Sequence, residues 1–163
     1  MNKRFARWLM AVTTGFAMLM FSPLATAGKP ETATVDFEKY LAAWSNDIEK
    51  LMPYFTEDVV YEDVTLGVVN HGKDETRAFA LNFFKTFPDT RFTLTSAVVS
   101  GNHAAIEWTL TGTQTGDMPG MPAAGKKISI RGVSTMELRH GKISRDADYW
   151  DMATMRRQLG FNP

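Results

Sequence analysis

Acids and aromatic rings alternate in two stretches of this chain of 163 residues. In residues 59–64, a short β-rich run, the two-residue period of a strand puts Tyr61 and Asp63 on one face with Val59. In residues 142–150 the same period groups Asp146, Asp148 and Trp150, and sets Ile143, Arg145, Ala147 and Tyr149 opposite. A phenol and a carboxylate beside apolar neighbours can hold a water or a substrate oxygen. Spacing alone leaves either face of the later run free to be the inner one. With the Trp150 face inward, Asp148 is a carboxylate among aromatic side chains, where desolvation raises its pKa and suits it to proton transfer. Residues 103–114 place Ala104, Ile106, Trp108 and Leu110 on one face, so Trp108 is expected to line the interior. Asp151 reads instead as the N-cap of a closing helix.

Other chemistries find no support. His71, His103 and His140 fall in or near turns, with no pair at metal-ligand spacing. There is no cysteine, which excludes thiol catalysis and cysteine-ligated metals. Serine-hydrolase, P-loop and dinucleotide glycine motifs are missing.

The elements that must position the acids follow from periodicity and turn residues. Phe37, Tyr40, Leu41, Trp44, Ile48, Leu51 and Met52 recur at helical steps, with a break expected near Ser45-Asn46-Asp47 and an end at Pro53. After the strand at 59–64, Gly67 and Asn70 to Gly72 read as a loop, and Asp74 as the cap of a helix reaching Phe87, whose face carries Phe79, Phe83 and Phe84. Strands are predicted at 91–100, 103–114, 127–139 and 142–150, with turns at Gly101-Asn102 and His140-Gly141, then a helix over 152–159 ended by Gly160. Hairpin-linked strands with segregated helices imply an α+β fold in which helices cover one face of a curved antiparallel sheet. Residues 116–125, rich in Gly and Pro yet carrying Met118 and Met121, read as an apolar loop across a pocket mouth, a mobile flap.

The N-terminus has the order of a secretory signal: Lys3, Arg4 and Arg7, an apolar run over 8–21, then Ala25-Thr26-Ala27. That run of about 14 residues falls short of the roughly 20 that a membrane span needs. Residues 1–27 are therefore expected to be removed, with 28–35 a disordered leader and 36–161 one domain, periplasmic or secreted and without a stable membrane anchor. Removal of Lys3, Arg4 and Arg7 leaves 15 cationic against 18 acidic side chains and no basic stretch, so nucleic acid is not an expected partner.

Several segments together resemble the SnoaL-like polyketide cyclase group, within the cone-shaped fold shared by nuclear transport factor two, ketosteroid isomerase, scytalone dehydratase and limonene epoxide hydrolase. They are Asn70-His71-Gly72-Lys73-Asp74, Phe87-Pro88-Asp89, Glu107-Trp108-Thr109-Leu110-Thr111-Gly112-Thr113, the loop Gly120-Met121-Pro122-Ala123-Ala124-Gly125-Lys126, and the ending from His140-Gly141 through Asp148-Tyr149-Trp150-Asp151 to Gly160. The resemblance covers residues 36–161. It implies a curved sheet wrapped around helices, an apolar pocket, a homodimer through the sheet, and neither metal nor organic cofactor. In the cyclases an Asp on the last strand moves a proton during aldol closure, and Asp148 stands in that place. The resemblance turns its face into the pocket, towards Tyr61, Asp63 and Trp108; these, with Trp150 on the same face and Met121 from the apolar loop, are the expected contacts of a small apolar ligand or substrate. In limonene epoxide hydrolase a comparable Asp works with a Tyr and an Asn on the first strand, which here read Tyr61 and Asp63. That hydrolase also carries an Arg and an Asp where this sequence has Trp108 and Leu110, which argues against epoxide hydrolysis.

Two functions from different classes follow: a cofactor-free enzyme that moves a proton on a small carbonyl or ester compound, and a binding domain that uses the same pocket without turnover. An assembly module acting through the sheet is a third.

Overall fold

The computed structural model describes residues 35–161; the expected signal segment and nearly all of the leader lie outside them. Val35, assigned to the leader, is buried in the core, so the ordered domain begins one residue earlier than expected.

The first helix is broken where the sequence indicates. Helix α1, Phe37–Ala43, starts at Asp36, whose carboxylate accepts from the Lys39 backbone N–H at 3.1 Å, and buries Phe37, Tyr40 and Leu41. Asn46 takes a positive φ of 79°, a conformation that suits Asn better than most residues. Asp47 then caps a one-turn helix α2, Ile48–Leu51, and Pro53 lies within a 3-10 turn, Met52–Tyr54.

Strand β1 spans Phe55–Asp63, four residues more than expected at its start, because exposed Glu57 and Asp58 hide the strand in the sequence. A short strand β2, Val68–His71, pairs antiparallel with it where a loop was expected. Helix α3, Gly72–Thr86, is not capped by Asp74. His71 occupies the cap position, Asp74 sits in the first turn, and the Glu75 carboxylate accepts from the His71 N–H at 2.7 Å. Strands β3, Arg91–Ser100, β4, His103–Thr113, β5, Lys127–Arg139, and β6, Lys142–Trp150, follow, and helix α4, Met152–Leu159, closes the chain between Asp151 and a left-handed Gly160.

The six strands form one sheet in the order β2-β1-β6-β5-β4-β3. It is antiparallel except between β1 and β6, which run parallel and set Tyr61 beside Asp146 and Asp63 beside Asp148. Irregularities in β1, β3 and the β5–β6 pair bend the strands, as bulges do. The bulge at Ser144 also corrects one face assignment. Leu138 pairs with Ile143 but Glu137 with Arg145, so Ile143 turns inward and is fully buried, on the Asp146 side rather than opposite it.

The segment after β4 is tied down more than its composition suggests. Met118 and Met121 exchange two backbone hydrogen bonds of 2.9 Å. The fully buried Gln114 side chain donates to Met121 O at 2.9 Å and accepts from the Ala124 N–H at 3.2 Å. A free flap would lack this internal frame.

Trp108 and Gly132 are directly paired on β4 and β5. A Cβ at Gly132 would come within 2.2 Å of the Trp108 ring, so the indole occupies space that only glycine leaves open. Gly132→Ala is expected to destabilise the fold by about 1–3 kcal/mol, the usual cost of overpacking, read as a lower denaturant midpoint. Unchanged stability would mean that the indole is free to move aside.

Candidate active site

Asp148 sits on the inner face of β6 with a hydroxyl on each carboxylate oxygen. Tyr61 of β1 donates to Oδ2 at 2.6 Å, and Ser134 of β5 donates to Oδ1 at 2.5 Å. Ser134 in turn accepts from Trp108 Nε1 at 2.9 Å. Three neighbouring strands, β1, β6 and β5, thus converge on one acid, which follows from the parallel β1–β6 pairing and the alternation along each strand.

Two further acids flank it. Asp146, fully buried, takes the Tyr40 hydroxyl on Oδ2 at 2.5 Å, while its Oδ1 has no partner. Asp63 is engaged on all sides: Trp150 Nε1 lies 3.1 Å from both oxygens, and the Leu66 N–H donates to Oδ1 at 2.8 Å. Its lone pairs hold the turn after β1 and the Trp150 indole, which leaves little for a substrate.

Asp148, Asp63, Tyr61, Tyr40 and Ser134 border a cavity of about 60 Å³, which Asp146 does not line. Of the residues expected there, Asp148, Tyr61, Asp63, Trp108 and Trp150 line it. Met121 does not. It is wholly buried in the core, and Met118, its bridge partner, reaches the cavity instead. Sequence reasoning missed Tyr40 and Ser134 as site residues. Tyr40 looked like one more core residue on an amphipathic helix, and Ser134 had no signal of its own, becoming meaningful only through its register opposite Asp148 on β6. Phe79, Phe83, Trp44 and Phe92 complete an aromatic wall, and among the described residues the lining includes no Lys, Arg or His.

The electrostatics follow from burial. Desolvation pushes the Asp148 carboxyl up to about 6; the Ser134 and Tyr61 hydrogen bonds oppose the rise, and the charge of Asp63 adds to it. Asp146 is raised well above the ordinary carboxylate range, first by burial and then by the charge of Asp148. Asp63 is raised by burial, against the Leu66 and Trp150 bonds. Burial, with the nearby acids, also holds the Tyr40 and Tyr61 phenols well above 10.0, so both remain donors at neutral pH. Among the described residues no cluster of His, Asp or Glu comes together to hold a metal ion.

A raised folded-state pKa means that the acid stabilises the fold when protonated and that this contribution is lost as pH rises through the folded value. Asp146→Asn removes the buried charge, so its stability relative to the parent protein is expected to increase from pH 5 to pH 8 in denaturant titrations. A stability difference that does not change with pH would show that Asp146 ionises as readily folded as unfolded.

Comparison with known proteins shows the family and the fold. The sequence profile of the SnoaL-like polyketide cyclase family matches residues 36–159. Cyclase aurE of Calcarisporium arbuscula is 29% identical over 115 residues, which cover 69% of this chain and 82% of that protein. A putative polyketide cyclase from Pseudomonas putida superposes with a TM-score of 0.64 at 27% identity, over 78% of this chain and 97% of its own. A protein of ketosteroid isomerase-like fold from Catenulispora acidiphila, solved in complex with trimethylamine, shares the fold at TM-score 0.67 and 22% identity, over 76% of this chain and 90% of its own. With the profile spanning nearly all of the described domain, the chain belongs to the SnoaL-like polyketide cyclase family.

Proposed function

We propose that the protein is a cofactor-independent enzyme of cyclase or isomerase type, in which Asp148 removes a proton next to a carbonyl and returns it to the product. The observation that carries this reading is a carboxylate raised to about 6, held by two hydroxyls in an aromatic cavity. An acid with that pKa is ionised at neutral pH yet basic enough to take a proton in the transition state. Among the described residues no Lys, Arg or His lines the cavity, and the Tyr61 hydroxyl is placed to meet negative charge developing on a substrate oxygen. A buried water needs about 10–15 Å³ on the same measure, so about 60 Å³ suits a compact substrate.

A second reading has one observation in its favour. Aromatic faces, carboxylates and the lack of a lining cation also suit a small ammonium ligand, and the Catenulispora relative was solved with trimethylamine. Ligand binding without turnover would then be the function.

The remaining proposals concern placement and assembly. Residues 1–27 direct export, and the outer sheet face pairs two copies, covering Tyr149, 48% exposed, and Val98, 65% exposed, among Thr93, Thr95 and Thr109.

Asp148→Asn nearly keeps the shape, so the fold is expected to persist while kcat/KM falls roughly 100- to 10,000-fold, the usual worth of a general base. In the parent enzyme kcat/KM should rise with pH through about 6 and level off above. Full activity in Asp148→Asn removes the assignment, whereas tight trimethylammonium binding with no turnover of carbonyl compounds favours the binding reading. For placement, mass analysis of the secreted chain should show a start at Gly28, and sedimentation twice the monomer mass; a full-length monomer contradicts both.

A further inference from the structure

The two hydroxyls on Asp148 are not equivalent. An indole N–H can only donate, so Ser134 Oγ must accept from Trp108, and its single proton then goes to Asp148 Oδ1. Among the described residues these are the only hydrogen-bond partners of the Ser134 side chain, which is 3% exposed and cannot turn to solvent. The indole itself is fixed in place, because it fills the space over Gly132 where a Cβ would lie 2.2 Å from its ring. Tyr61 is different. Among the described residues its hydroxyl bonds only to Asp148 Oδ2, and it borders the cavity.

We propose that Trp108, acting through Ser134, clamps Oδ1 of Asp148 and so makes Oδ2 the working oxygen, with Tyr61 turning its hydroxyl toward the cavity when Oδ2 takes a proton. The inference rests on Asp148 being the proton carrier. In the forward step a substrate C–H bond breaks, its electron pair stays on the substrate as an enolate, and the proton forms an O–H bond at Oδ2. Tyr61 can then accept from Oδ2–H and give its own hydrogen bond to the enolate oxygen. Return of the proton to the product restores the starting pattern, with no other reactant consumed. Ser134 and Trp108 are positioning residues in this scheme. They give the acid a direction that burial alone does not.

The test reads Asp148 directly and without substrate, by following its side-chain carboxyl carbon in NMR titrations of the whole domain. The groups facing Asp148 are Tyr61 and Asp63 from β1, Ser134 from β5, Asp146 from its own strand and Tyr40 from α1, and the variants Ser134→Ala and Trp108→Phe both keep the acids Asp63 and Asp146 and the two phenols. Ser134→Ala loses a hydrogen bond to the charged form, and its midpoint should move above the parent value of about 6. Trp108→Phe frees the serine to rotate and should move the midpoint in the same direction. The double variant should match Ser134→Ala alone, because Trp108 works through Ser134. An unmoved midpoint in Trp108→Phe, or shifts that add in the double variant, overturns the relay. If Ser134→Ala does not fold, Trp108→Phe decides the question by itself. Failure of the catalytic reading would look different: Asp148→Asn would stay active while the relay shifts still appeared.

Discussion

A half-buried carboxylate among aromatic rings is held by two hydroxyls, and the rest of the candidate site depends on that constraint. An ionised acid in such surroundings is costly unless it is paired or hydrogen-bonded. Among the described residues no Lys, Arg or His lines the cavity, and the carboxylate of Asp148 takes the hydroxyls of Tyr61 and Ser134. Two such bonds lower the cost without removing it, which leaves Asp148 near 6 rather than near its ordinary 3.8. A lysine or arginine at the same distance would drive the carboxyl down and end its usefulness as a base.

The pairing of β1 with β6 gathers these groups. Parallel neighbours need a long connection between them, and β2, α3, β3, β4 and β5 all lie in that interval. The same interval supplies the aromatic face of α3, Trp108 on β4 and Ser134 on β5, so the crossover that permits the pairing also builds the walls. Tyr40 reaches the acids from the opposite layer and fixes α1 against β6 through Asp146. The fold and the site are therefore two descriptions of one arrangement.

Much of this was legible in the sequence, for physical reasons that differ from element to element. The long strands announce themselves through alternation and sharp turns, and the period-two face of Asp146, Asp148 and Trp150 is the inner one. What escaped depends on contacts between distant segments. Strand β2 is hidden by Gly67 and Asn70, residues that usually mark turns, and pairing with β1 overrides them. The Ser144 bulge flips Ile143, and a bulge has no signature in a single sequence. Ser134 reaches the site because its register on β5 sets it opposite Asp148, and Gly132 leaves room for the indole that bonds to it. Met121 was expected at the pocket for its apolar character, but a buried Gln114 strap pulls it into the core and presents Met118.

The central claim is that burial, opposed only by two hydroxyl hydrogen bonds, sets the proton affinity of Asp148. Its most direct test is the titration of the Asp148 side-chain carboxyl in the unmodified domain, assigned by loss of that signal in Asp148→Asn. The account predicts a midpoint of about 6. A midpoint at the ordinary aspartate value near 3.8 would contradict it, because the aromatic cavity would then fail to perturb the acid on which the proposed chemistry depends.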